Sequence, residues 1–122
     1  MSKTTIFAVD DSVTTLYLLK ERLEPVYNVI TMESAETMFQ KLSEQTPALI
    51  LLDYYMPVTS ADDVMKRLKG DDRYKEIPII IISGSSYPEL KHEIYGMGAV
   101  DFIAKQSIDN NSLVEKVEKW IN

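Results

Sequence analysis

A doubly wound α/β fold built on parallel strands is what this sequence predicts, and three observations predict it. Short apolar runs recur at residues 6–9, 48–52 and 77–82 without the polar alternation of a half-exposed strand. Such runs suit strands covered on both faces, as in a parallel sheet flanked by helices. Stretches with apolar residues at helical spacing separate these runs, giving a β-α alternation repeated five times. Each run also ends abruptly at a polar or charged residue, at Asp10, Asp53 and Ser83.

The elements follow in order. After residues 6–9 come Asp10 and Asp11, then Ser12 as an N-cap. Val13, Leu16, Leu19 and Leu23 form the apolar stripe of a first helix, which Pro25 ends. Residues 27–31 have the mixed polarity of an edge strand. Ser34 caps a second helix with Ala35, Met38, Phe39 and Leu42 inside, and Pro47 closes the loop before the third strand. That strand delivers Asp53, and Pro57 prevents its continuation. Ser60 with Asp63 resembles a capping box for a third helix, whose inner face is Val64, Met65 and Leu68 and which ends near Gly70. Pro78 is compatible only with the start of the fourth strand, which runs out at Ser83-Gly84-Ser85-Ser86. Leu90, Ile94 and Met97 line a fourth helix, stopped by Gly96 and Gly98. Residues 100–104 form a short fifth strand ending at Lys105, and Leu113, Val117, Trp120 and Ile121 mark a fifth helix. Right-handed crossovers and five strands favour the flavodoxin-like order 2-1-3-4-5, with the two least apolar strands at the edges.

The 122 residues are expected to form one domain, 1–122, without an output domain. The chain is 45% hydrophobic and 26% charged, which fits a globular protein. Thirteen basic against 19 acidic residues give −6, which argues against nucleic-acid binding through phosphates. There is no cysteine, so disulfides and thiolate metal sites are excluded. No apolar run approaches membrane-spanning length and no signal peptide is evident, so a cytoplasmic location is expected.

In a parallel sheet all strands end at one edge, and in this order the first and third strands flank the switch point where ligands bind. Asp10, Asp11 and Asp53 should therefore meet, with Ser83 and Lys105 beside them. Two like charges about 5 Å apart repel by roughly 3 kcal/mol at an effective dielectric near 20. A divalent cation relieves that repulsion. An all-oxygen donor set suits Mg²⁺, with Mn²⁺ as its substitute, and the single histidine, His92, makes zinc a poor fit. Such a site would let a phosphoryl group approach Asp53, and carboxylates are known phosphoryl acceptors. Taken singly, Asp10 and Asp11 would serve as well as helix-capping charges, Ser83 as a turn residue, Lys105 as a surface lysine and Phe102 as packing. His92 reads as a surface residue, and Met38, Met65 and Met97 as core.

Four segments, residues 7–12, 51–57, 81–84 and 98–105, appear in order at strand ends. With them the chain resembles the receiver domains of two-component response regulators over essentially its whole length. The resemblance implies a signalling switch rather than an enzyme. Asp53 would accept a phosphoryl group from the phosphohistidine of a sensor histidine kinase or phosphotransfer protein, or from a small phosphodonor. Asp10, Asp11, Asp53 and the Tyr55 backbone carbonyl would hold Mg²⁺, Ser83 and Lys105 would contact phosphoryl oxygens, and Phe102 would swing inward as Ser83 moves. The face made by the fourth helix, fifth strand and fifth helix would then meet a downstream protein, with the chain a monomer or a phosphorylation-dependent dimer. Gln106 stands where the family usually has proline after a cis bond, which leaves the Lys105 loop free to be trans. Tyr55 and Ser85 occupy positions that tune hydrolysis, and a bulky Tyr55 predicts slow loss of phosphate. A haloacid-dehalogenase-type phosphatase would want an aspartate at residue 55, and a flavodoxin phosphate would be repelled by Asp10 and Asp11.

Overall fold

A computed structural model describes residues 3–56, 58–85, 88–108 and 111–121; Pro57 and Ser86 lie outside these. The strands are β1 (Thr5–Val9), β2 (Asn28–Met32), β3 (Leu49–Asp53), β4 (Ile79–Ser83) and β5 (Asp101–Ala104). The helices are α1 (Val13–Leu23), α2 (Ala35–Leu42), α3 (Ala61–Lys69), α4 (Pro88–Gly96) and α5 (Asn111–Ile121). All four strand pairings are parallel, in the order β2-β1-β3-β4-β5. The expected fold class and strand order are those observed.

Strand pleating divides the apolar runs between two cores. Ile6, Ala8, Leu49, Leu51, Ile80, Ile82 and Ile103 face α1 and α5, against Leu16, Leu19, Leu23, Leu113 and Val117. Phe7, Val9, Ile50, Leu52, Ile79, Ile81 and Phe102 face α2, α3 and α4, against Met38, Leu42, Val64, Met65, Leu68, Leu90 and Ile94. Every residue of β3 and β4 is buried, because both faces and both edges are covered.

Three serines start helices as their spacing predicts. The side chains of Ser12, Ser34 and Ser60 accept hydrogen bonds from the amides of Thr15, Thr37 and Asp63, at 3.3, 3.1 and 3.1 Å. Some boundaries differ from the sequence reading. Tyr27 is buried but precedes β2, whose last residue is Met32. Ile77 and Pro78 precede β4; the Pro78 carbonyl accepts from Ile50 N–H at 3.0 Å without the missing proline donor being needed. Val100 stands just outside β5, its amide held by Ile79. Gly98, at φ +100°, makes the turn between α4 and β5 in a conformation that side-chain-bearing residues avoid.

Candidate functional site

The β1–β3 register places Val9 opposite Leu52, so Asp10 and Asp53 leave adjacent strands at the same level. The backbone continues in ladder fashion one residue further, with Asp10 N–H on the Met32 carbonyl at 3.1 Å and Tyr54 N–H on the Ile82 carbonyl at 2.8 Å. This fixes the direction of both carboxylates. Asp10 is 0% and Asp53 1% exposed, whereas Asp11 opens to solvent. One carboxylate oxygen from each of the three lies within 4.8 Å of the others.

Lys105 enters from the end of β5. Its Nζ lies 3.1 Å from Asp10 Oδ2 and 3.5 Å from Asp53 Oδ1. Among the described residues no peptide bond is cis, so the chain passes trans through Lys105 and Gln106 into a 3-10 turn at Lys105–Ser107, and the ammonium still reaches both buried acids. Asp10 Oδ1 also accepts from Ser12 N–H at 2.8 Å, and Asp53 Oδ1 from Tyr55 N–H at 3.4 Å. Those contacts all engage one side of Asp53. Its Oδ2 is buried without a hydrogen-bond partner among the described residues, whereas Asp10 Oδ2 has the Lys105 ammonium beside it.

The electrostatics follow from that imbalance. Burial pushes the Asp53 carboxyl up to about 7, and the adjacent Asp10 charge adds to the rise; Lys105 and the Tyr55 amide pull it down by less. Burial alone would lower the Lys105 ammonium, but Asp10 and Asp53 outweigh it and hold its pKa above the ordinary value. An orphaned buried carboxylate oxygen beside two further carboxylates is the donor set of a hard divalent cation.

Ser83 follows Ile82, which pairs with Asp53 across β3 and β4. Its side chain is fully buried at this edge, and its Oγ accepts from Ser85 N–H at 3.1 Å. Phe102 lies farther away in the core beneath α4, the residue 4% exposed, with Lys91 Nζ 5.7 Å from the ring centre. Tyr55 brings its amide to Asp53, while its 57% exposed ring packs edge-on against Tyr54 at 4.7 Å. Sequence reasoning passed over Tyr54, whose hydroxyl donates to Glu93 Oε1 on α4 at 2.9 Å. A contact spanning 39 positions leaves no local pattern to read.

The family model for the response regulator receiver domain matches residues 6–118. The chain belongs to this receiver-domain family. The "Probable cyclic di-GMP phosphodiesterase" of Vibrio cholerae is 30% identical over 105 residues, covering 86% of this receiver domain and 24% of its own length. Two-component response regulator ORR3 of Oryza sativa subsp. indica is 31% identical over 102 residues, covering 82% of this chain and 78% of its own. The receiver domain thus spans about a quarter of the Vibrio relative and most of the rice one. Among solved structures, chemotaxis protein CheY4 of Vibrio cholerae superposes with a TM-score of 0.86 over 99% of this chain and 100% of the other, at 24% identity, a likeness of fold. The N-terminal domain of a response regulator receiver protein from Methanoculleus marisnigri is 31% identical, with a TM-score of 0.76 over 94% of each chain. No described helix is long and apolar enough to cross a membrane.

Proposed function

We propose that this receiver domain is a phosphoacceptor switch in which Asp53 takes a phosphoryl group from a phosphohistidine of a sensor kinase or phosphotransfer protein. The observation that carries the proposal is the buried, unpartnered Asp53 Oδ2 among Asp10, Asp11 and Lys105. Asp53 Oδ2 attacks phosphorus, the P–N bond breaks, and the bond's electron pair leaves with the donor imidazole, which a proton from water restores. Asp10, Asp11, Asp53 and the Tyr55 carbonyl would hold Mg²⁺, or Mn²⁺ in its place. The cation supplies charge neutralisation for the incoming phosphoryl oxygens and keeps Asp53 ionised at neutral pH.

Lys105 is placed to neutralise one phosphoryl oxygen, because its ammonium already spans Asp10 and Asp53. Ser83 Oγ, at the end of the strand next to Asp53, donates to another. Its oxygen already accepts from the Ser85 amide, and its hydroxyl hydrogen remains available for phosphate; the α4–β5–α5 face then responds and meets a downstream protein.

Incubation with Mg²⁺ and acetyl phosphate tests the reading. One phosphoryl adduct by intact-protein mass, absent in Asp53→Ala and abolished by a chelator, is the expected outcome. A wild-type protein that gains no mass, and whose spectrum is unchanged by beryllofluoride, would instead be a module that binds partners without modification. Tyr55 bears on the lifetime of the adduct: its ring stands two residues past Asp53, braced by Tyr54. Tyr55→Ala is expected to speed hydrolysis several-fold, followed by decay of the phosphorylated mass after donor removal.

A further inference from the structure

Outside the acidic site, one carboxylate gathers donors from three elements. Asp101 opens β5, and its side chain is 13% exposed. Its Oδ2 accepts from Trp120 Nε1 at 2.9 Å. Its Oδ1 accepts from Phe102 N–H at 2.8 Å and from the Tyr95 hydroxyl at 3.4 Å, and Lys116 Nζ lies 3.4 Å away. Lys116 also donates to the Phe102 carbonyl. Burial by itself would raise the Asp101 carboxyl, but the indole, the Phe102 amide and the Lys116 ammonium outweigh it and hold the group ionised.

This arrangement does more than tie down a surface. β5 is an edge strand, with β4 as its one neighbour. The Phe102 peptide groups are taken up by Asp101 and Lys116, two side chains that also pair with each other. The Phe102 ring hangs from that peptide into the core beneath α4. Held at both its N–H and its carbonyl, the Phe102 backbone is fixed, and with it the side-chain rotamers that the backbone favours.

We infer that Asp101 is a positioning residue of the switch: it fixes the Phe102 peptide with the ring inside and carries movement of that peptide to Tyr95 on α4 and Trp120 on α5. The inference rests on the phosphoacceptor reading. A ligand at Asp53 that requires the ring-in form binds more weakly as the fraction in that form falls. Coupling between the Asp53 site and the clamp is reciprocal, so occupation of the site is felt at Trp120.

The test titrates the full chain with beryllofluoride in the presence of Mg²⁺, by calorimetry and by emission of Trp120, the one tryptophan. Asp101→Asn keeps the shape but loses the charge; its affinity for beryllofluoride is expected to fall about five- to tenfold, and the wild-type shift in emission to vanish. Trp120→Phe removes only the indole N–H and packing of one ring, and its affinity is expected to fall about twofold to threefold by calorimetry. A folded Asp101→Asn protein with wild-type affinity and an intact emission shift overturns the inference. Where Asp101→Asn does not fold, Trp120→Phe decides: wild-type affinity overturns the inference and a loss supports it. Wild-type protein that takes no beryllofluoride overturns the phosphoacceptor reading, and the inference falls with it.

Discussion

For Asp53, the proposed phosphoacceptor, two demands on one side chain conflict. A buried carboxylate is destabilising when ionised, and an acceptor must be ionised to attack phosphorus. Its metal-free carboxyl sits at about 7, against 3.8 for an ordinary aspartate. Between these values the folded protein holds a proton that the unfolded chain has released, so stability falls as pH rises from about 4 through 7. Below about 4 both states are protonated at this group and its contribution is fully present. Asp53→Asn, neutral at every pH and nearly the same shape, removes that dependence. In chelator, the variant is expected to melt several degrees above wild type at pH 8, by a smaller margin at pH 5, and at nearly the same temperature only near pH 4. Equal melting temperatures at pH 8 would show that Lys105 already balances the buried charge. Asp10, Asp11 and Asp53 were legible because each ends or follows an apolar run, and topology does the rest. Asp101 was not, because its donors Tyr95, Lys116 and Trp120 come from two helices whose packing no local pattern encodes.

At the scale of elements, type and order were readable and edges were not. Continuous apolar runs in β3 and β4, and serine caps before α1, α2 and α3, are local signals that agree with the final packing. β2 is displaced by one residue from its sequence reading because Tyr27, apolar enough to begin a strand, is buried in the loop from α1 instead. β5 begins at Asp101 because Gly98 turns the chain late. At φ +100° that glycine has a conformation in which a Cβ is strained by about 1–2 kcal/mol. An added Cβ would also come 3.3 Å from Lys69 Cε, a flexible atom that moves aside readily. Gly98→Ala is therefore expected to destabilise the protein by about 1–2 kcal/mol through the backbone, measured by urea unfolding. A change below about 0.5 kcal/mol would mean that the α4–β5 turn relaxes to negative φ. Because the turn leads into Asp101 and Phe102, the same variant probes how firmly β5 is held.

At the scale of the whole molecule, the two cores and the acidic site oppose each other. Sheet faces packed on α1 with α5, and on α2 with α3 and α4, drive β1 and β3 together. That same pairing forces Asp10 beside Asp53. Like charges within 4.8 Å repel by about 3 kcal/mol at an effective dielectric near 20, a sizeable part of the 5–15 kcal/mol that typically holds a domain folded. A cation that binds only the folded site returns stability as RT ln(1 + [L]/Kd), about 2.7 kcal/mol at a hundredfold excess over Kd. The gain depends on pH, because protons and cation compete for Asp53 over the range below about 7. Mg²⁺ is accordingly expected to raise the melting temperature strongly at pH 8 and weakly at pH 5. Asp11→Ala removes the solvent-exposed member of the proposed ligand set without opening a cavity, and should abolish most of the rise while leaving the metal-free melting temperature near or above that of wild type. Thermal melts at both pH values, with and without Mg²⁺, check this. A rise of equal size in Asp11→Ala would place the stabilising cation elsewhere on the acidic surface and remove the link between the fold's charge repulsion and the chemistry at Asp53.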